Sequence, residues 1–355
     1  MPAGLSPRVL CRFLLSALFV PLAASAALAQ TAPSTADIAA YQVADRTARL
    51  VEGARKEGTL TLYGSAPVDD LAAITEAFEK AYGVKVRIWR ASSENIVQRG
   101  VTEARGGRFD ADVLETNDPE MEALHREQLL QEVKSPHIAD LIPAAVPAHR
   151  EWIGTRLNIF TAAYNTRLVR KEELPKSYAD LADRKWKGRL GIEAEDLDWF
   201  AAVVAGLGEA DGLKLFRDIV AANGMSVRKG HTLLTNLVIS GEVPLALTVY
   251  QYKAAQLRGA GAPIELLSLP PVIARLQGIG VARRAPHPHA AALFVDFMLS
   301  TAQDLLLKRD FLPANARVYP AVAKMDLSFV DPARVLDEHD KWARLYKEIF
   351  ISKAR

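Results

Sequence analysis

The chain has 355 residues, 50% of them hydrophobic and 24% charged, with a formal charge of +2. That composition excludes a disordered or fibrous chain and is long enough for two core-bearing lobes. The near-neutral balance gives no global pull toward nucleic acid or an anionic membrane surface.

In chain order, the N-terminus reads as a targeting segment. Arg8 and Arg12 precede the apolar run "FLLSALFVPLAASAALA", which closes with Ala27 and Ala29 in small-x-small spacing. Residues 1–29 are therefore expected to be a Sec-type signal peptide cut after Ala29, and the run is too short and Ala/Ser-rich for a membrane anchor. Its removal takes away both arginines and no acid, so the charge of +2 falls to zero, and it also removes Cys11, the single cysteine. The exported chain would have no thiol, disulfide or cysteine metal ligand, which suits a bacterial periplasm.

Residues 30–44 are rich in Ala, Thr and Ser and read as a linker. A helix follows over 45–56, then the strand "TLTLYGS". Leu71, Ile74, Phe78 and Tyr82 recur at helical spacing and Gly83 stops that helix. "VKVRIWRAS", "ENIVQRGVTEARGG" and "ADVLET" continue as strand, helix and strand, which implies a parallel sheet with right-handed crossovers. The pattern restarts with the long strand "RLNIFTAAYNT". "WKGRLGIE" leads into the helix "DWFAAVVAGLG", followed by two more helices, and "VPLALTVY" is apolar on both faces, as a central strand is. A last strand and a helix opened by prolines lie in "GIGVARRAPHPHAAALFVDFMLSTAQDLLL". Two α/β lobes are the economical reading.

Several stretches resemble the periplasmic solute-binding proteins of ABC importers, in the branch that includes ferric-iron-binding and thiamine-binding proteins. They are "LTLYGS…ITEAFEKAYGVKV", "FDADVLETN", "FTAAYNTRLV", "LPKSYADLADRKWKGRLGI", "LVISGEVPLALTVYQY" and "PHPHAAALFVDFMLSTAQ", which together span about residues 58–320. The resemblance implies a type II periplasmic-binding fold, with two α/β lobes joined by two crossing hinge strands and a ligand cleft between them. The crossings would fall near 156–164 and 277–283. Lobe 1 would be 45–155 plus 281–355, and lobe 2 would be 156–280. It implies no catalysis and no cofactor. The partners would be a small-molecule or metal solute and the permease and ATPase subunits of the inner membrane, with no nucleic acid, and the protein would be a monomer. The rival classes are a secreted enzyme and a solute sensor subunit; the sequence contains no H-E-x-x-H, G-x-S-x-G, P-loop or Rossmann fingerprint.

Ligands of such folds bind beyond the carboxyl ends of parallel strands. Ser65, Arg90, Asn117, Glu193 and Tyr250 all fall at predicted strand ends, and all five are candidate ligand contacts. Arg90 offers a planar fork to an anion beside Ser92 and Ser93, against the alternative of a surface arginine and a serine cap. Glu193, Glu195, Asp196 and Asp198 meet at one strand–helix junction, as caps or as a cation site walled by Trp199. His231 opens a helix in a cleft-like setting, as a ligand contact or a structural histidine. Tyr164 lies on the proposed hinge strand, either facing solute or packed in the core. Tyr250 and Tyr252 are the further aromatic candidates.

The resemblance also brings ferric iron, as a transported ligand. In iron-binding relatives an adjacent tyrosine pair matches "TVYQYKA", where it falls on Gln251 and Tyr252. The relatives' histidine falls near Pro67 and their glutamate on Asn117, so Tyr252 is the one ligand kept. An iron site of the usual geometry is therefore not expected. If iron binds, its ligands here would be Tyr252, His231 and Glu193.

Overall fold

A computed structural model describes residues 33–352. The expected signal peptide and its cleavage point lie outside these residues. Part of the expected linker is instead a short helix, α1 (Thr35–Ala39). Ser34 and Asp37 close a capping box on it, and Ile38 and Ala39 are buried, so this segment has both a helix start signal and a hydrophobic anchor.

Then come α2 (Arg46–Glu57), β1 (Thr59–Gly64), α3 (Val68–Tyr82), β2 (Lys85–Arg90), α4 (Ser93–Arg105), β3 (Val113–Asn117), α5 (Asp118–Arg126) and β4 (Leu130–Gln131). β5 (Ile153–Asn165) leads to β6 (Leu190–Glu193), α6 (Leu197–Leu207), α7 (Glu209–Asn223), β7 (Ser226–Arg228), α8 (His231–Ser240), β8 (Leu245–Tyr250), α9 (Gln251–Gly259) and β9 (Ile264–Leu267). The chain closes with β10 (Ile273–Ala282), α10 (Pro288–Leu299), α11 (Thr301–Lys308), β11 (Leu312–Pro313), β12 (Ser328–Phe329), α12 (Pro332–Asp337) and α13 (His339–Tyr346). The punctuation is that of the sequence: α3 ends at Gly83, whose φ of 75° suits a residue without Cβ, and Pro288 opens α10 where no N–H is needed.

Strand order is β2-β1-β3-β10-β5-β8-β6-β7. β1, β2 and β3 are mutually parallel, as are β6, β7 and β8, and each parallel set forms one lobe. Between them run β5 and β10, antiparallel to each other. β5 pairs with β10 up to Ile159 and with β8 from Phe160, so it passes from one lobe's sheet into the other's. The return crossing lies between β9 and β10, ahead of the expected 277–283, because β10 already pairs with β5 from Ala274 onward.

Each lobe has its own aromatic core. In the first, Phe78 packs edge-on against Phe294 and Phe297. In the second, Phe216 meets Trp199 and Phe200 at centroid distances of 5.6 and 5.3 Å. The end of the chain was expected with the first lobe, but only part of it is there. α12 is tied to α5 by Arg126 and Asp337 at 2.7 Å, whereas Trp342, Tyr346 and Phe350 all pack edge-on against Phe200 of the second lobe. Burial of those three rings decides the placement, since each large aromatic removes 150–250 Å² from water.

Candidate functional site

A cavity of about 710 Å³ lies between the lobes, at the carboxyl ends of the parallel strands. Its floor is built by the two crossing strands. In their register Arg156 faces Gln277 and Asn158 faces Arg275, and directly opposed residues of an antiparallel pair share a face. These four polar side chains, each no more than 8% exposed, therefore converge on one surface that lines the cavity.

Hydrogen bonds run outward across this floor from Asn158. Its amide donates to Asn117 Oδ1 at 3.3 Å and to Gln277 Oε1 at 3.0 Å. Asn117 then donates to Ser93 Oγ at 2.9 Å, and Gln277 donates to Ser65 Oγ at 2.9 Å. Both chains end on a serine hydroxyl that has accepted a bond and keeps its own O–H to donate. Ser65 stands just before α3 and Ser93 opens α4, and neither helix has a side chain capping its first turn.

Arg156 is 1% exposed. One guanidinium nitrogen meets Glu115 at 2.8 Å, while Nε and Nη1 are buried without a partner. Leaving such donors unmet costs on the order of 1–3 kcal/mol or more for a charged group. Arg90, on the exposed rim, donates to the Ala66 and Ser65 carbonyls, both at 3.2 Å.

The opposite wall is acidic. Glu193 ends β6 and accepts backbone N–H bonds from Gly230 and Glu195, so the turn after the strand is folded around its carboxylate. Asp196, 1% exposed, meets His231 Nε2 at 3.2 Å through one oxygen, and its other oxygen has no partner. Asp198 holds Arg275 at 2.6 Å, and Arg275 also donates to the Tyr250 hydroxyl. At the rim Lys229 pairs with Glu195. Burial, then Asp196, pushes the Glu193 carboxyl up. Burial works against the His231 charge, but Asp196 and Glu193 outweigh it and raise its pKa. Glu120, facing the cavity from α5, is raised by burial to about 7.

Aromatic rings join the two sides. The Tyr250 ring lies 3.8 Å from the His231 ring, centroid to centroid, and 5.5 Å from Phe160. Tyr252 rests on Phe311 at 4.2 Å, and burial pushes its phenol pKa well up, so it carries its proton.

Nine of the ten sequence candidates line this cavity: Ser65, Arg90, Ser92 and Asn117 from the first lobe, and Glu193, Asp196, His231, Tyr250 and Tyr252 from the second. Tyr164 does not. It pairs with Leu245, at the amino end of β8, whereas the cavity lies at the carboxyl end by Tyr250; its buried ring is core. Trp199 is likewise no wall, since its ring is buried against Tyr178 and Phe216. The sequence reading missed Arg156, Asn158, Arg275 and Gln277. Their signal was present as "RLN" and "RLQ", polar residues at alternate positions of otherwise apolar strands.

The carboxylates of Glu193 and Asp196 and the His231 ring offer atoms within 4.8 Å of one another, enough for a metal ion. The relatives' four iron-ligand positions do not converge here in the same way. Pro67 has no donor, Gln251 is absent from the cavity lining, and the Asn117 amide is spent on the floor.

The model of the bacterial extracellular solute-binding protein family matches residues 60–311. The chain belongs to that family. Its two-lobed cleft is the substrate-binding component of an ABC uptake transporter, which takes up a small solute between the lobes. The iron uptake protein A1 of Synechocystis is 25% identical over 290 residues, 76% of this chain and 77% of the relative. Iron-bound HitA from Pseudomonas aeruginosa has a TM-score of 0.71 at 26% identity, covering 82% of this chain and 99% of that one. AfuA from Actinobacillus pleuropneumoniae, solved with fructose-6-phosphate, has a TM-score of 0.72 at 22% identity, covering 83% and 99%, and shares the fold. These relatives are solute-binding proteins of transport, not enzymes.

Proposed function

We propose that this solute-binding protein captures a small organic solute on the floor and wall described above and hands it to its permease. The observation that carries this reading is Arg156, a buried residue of the cavity lining with two guanidinium nitrogens that have no partner. A folded chain rarely leaves such donors without a partner, and a solute supplies one. The leader pattern at 1–29 and the periplasmic relatives support export and release of the mature chain into the periplasm. The first lobe would then be 45–159 with the chain after the return crossing up to α12, and the second 160 to that crossing together with α13. Closure of the lobes would need φ/ψ changes only in the crossing segments.

Small-angle scattering of the purified chain, with and without solute recovered from its native source, tests this. The radius of gyration should fall and the melting temperature should rise, by about 2.7 kcal/mol of stabilisation at a hundredfold excess over Kd. No change in either would refute the receptor reading.

Ferric iron is the second reading, favoured by the Glu193, Asp196 and His231 cluster and by the names of the relatives. It predicts a visible phenolate-to-iron band that Tyr252→Phe abolishes. Arg156 and Arg275 on the same cavity oppose a trivalent cation, so our reading predicts no band.

A further inference from the structure

The floor and the wall demand opposite charges from one bound molecule. On the floor, the amide donors of Asn158, Asn117 and Gln277 run outward to two serine hydroxyls. The amide chain from Asn158 ends on the Ser65 and Ser93 hydroxyls, and Arg156 adds two unpartnered N–H groups. The first turns of α3 and α4, helices of 15 and 13 residues, have no side-chain cap, although Asp69, Asp70 and Glu94 already complement the positive ends of their dipoles. The natural occupant is an oxyanion with several acceptor lone pairs.

On the wall carboxylates outnumber cations. Glu193, Glu195, Asp196 and Asp198 stand against Lys229 and His231, with Arg275 reaching across from the floor; Lys229 is already held by Glu195 and Arg275 by Asp198. Asp196 keeps one buried oxygen without any partner, while the Tyr250 ring is covered by His231 at 3.8 Å. A cationic amine satisfies that oxygen.

We infer that the solute is a compact zwitterion, whose acid group sits on the Arg156, Ser65 and Ser93 floor and whose ammonium group meets Asp196 and Glu193 on the wall. This rests on the cleft being the solute site. It goes further by assigning each end of the molecule to one lobe, so that only a bifunctional solute bridges and closes them. A single-charge analogue engages one lobe and leaves the other's buried group unmet. The acid is a phosphonate or a carboxylate; these share the acceptor chemistry, and the test separates them.

The probes are ω-aminoalkylphosphonates and ω-amino acids of graded length, with the alkylphosphonates, alkylcarboxylates and alkylamines of the same lengths, read by melting temperature and calorimetry. We expect at least one zwitterion to bind at least about tenfold tighter than either of its truncated partners. Asp196→Asn should shrink the preference for the zwitterion over its deaminated acid to near onefold. The double variant Arg156→Gln/Glu115→Gln, which removes the floor cation and its buried partner together, should lose the response to every acid. A single-charge probe that binds as tightly as its zwitterion overturns the inference, and so does a full series without response. Native mass spectrometry after incubation with a small-molecule extract separates the two readings. A captured solute that lacks an amine or an acid sinks the zwitterion and leaves the receptor standing. No captured solute together with no probe response sinks both.

Discussion

The two faces of the cleft are built in different ways. The floor is a hydrogen-bonded lattice laid across two strands, in which Asn158, Asn117, Gln277, Ser65 and Ser93 fix one another. The wall is a turn around Glu193, whose proton affinity is raised by burial and then by the neighbouring Asp196 carboxylate. The floor is organised before any solute arrives and holds its donors in place without one. The wall stores like-charge repulsion that a cation relieves. The comparison teaches that orientation and selectivity come from different lobes: one offers a rigid template, the other an electrostatic demand.

The largest effect should come from breaking the floor. Arg156→Gln should weaken solute binding by about 100-fold or more, since two charged hydrogen bonds are each worth roughly 1.5–3 kcal/mol. It should also destabilise the apo protein by about 3–5 kcal/mol, because Glu115, 2% exposed, loses its ion-pair partner. Adding Glu115→Gln should restore the melting temperature without restoring affinity. Thermal melts and titration calorimetry on the three variants check both halves.

Next come the phenols. Tyr252→Phe keeps the ring on Phe311 and removes a protonated hydroxyl, so affinity should fall about tenfold while the apo melting temperature barely moves. Tyr250→Phe should weaken binding less, because its hydroxyl already accepts from Arg275 rather than facing the solute alone. Equal affinities in wild type and both variants would assign the phenols to packing.

The acids on both sides of the cleft can be probed with pH. Glu120, on the first lobe, is raised by burial to about 7, and Glu193, on the wall, is raised by burial and by Asp196. A carboxyl whose folded pKa exceeds its unfolded value makes the native state bind more protons. Its stabilising contribution is complete below the unfolded value near 4.5 and is lost as pH climbs through the folded value. His231, also raised, acts in the same direction. The apo melting temperature should therefore drop from about pH 5 to about pH 8, and Glu120→Gln should flatten the slope. A profile that rises over that range in wild type would contradict the charge accounting of the cleft.

The smallest effect should be at Tyr164. Tyr164→Phe should leave affinity within about twofold, because the ring is packed at the amino end of β8.

Most of the fold was legible in the sequence. Apolar periodicity and glycine stops marked the helices, and doubly apolar "VPLALTVY" marked β8. The site was legible where a residue ended a strand or stood at a strand–helix junction. Glu193 and Tyr250 were found the first way, because carboxyl ends of parallel strands converge, and Asp196 and His231 the second. Arg156, Asn158, Arg275 and Gln277 lie in mid-strand, and their convergence depends on the antiparallel register of β5 with β10. Register is a tertiary fact that two separated stretches do not announce. Tyr164 was misread for a related reason: β5 changes partners at Phe160, so a residue four positions further along belongs to another sheet and another end. The C-terminal aromatics went to the second lobe because Phe200 and Phe216 offer rings there, a match invisible along the chain.

The central claim is that the interlobe cleft holds the solute through the Arg156 floor. Native mass spectrometry of the protein purified from its native source tests it most directly, with wild type beside the Arg156→Gln/Glu115→Gln variant. The account predicts a small-molecule adduct on the wild type and a bare mass on the folded variant. The same adduct on both proteins would contradict it.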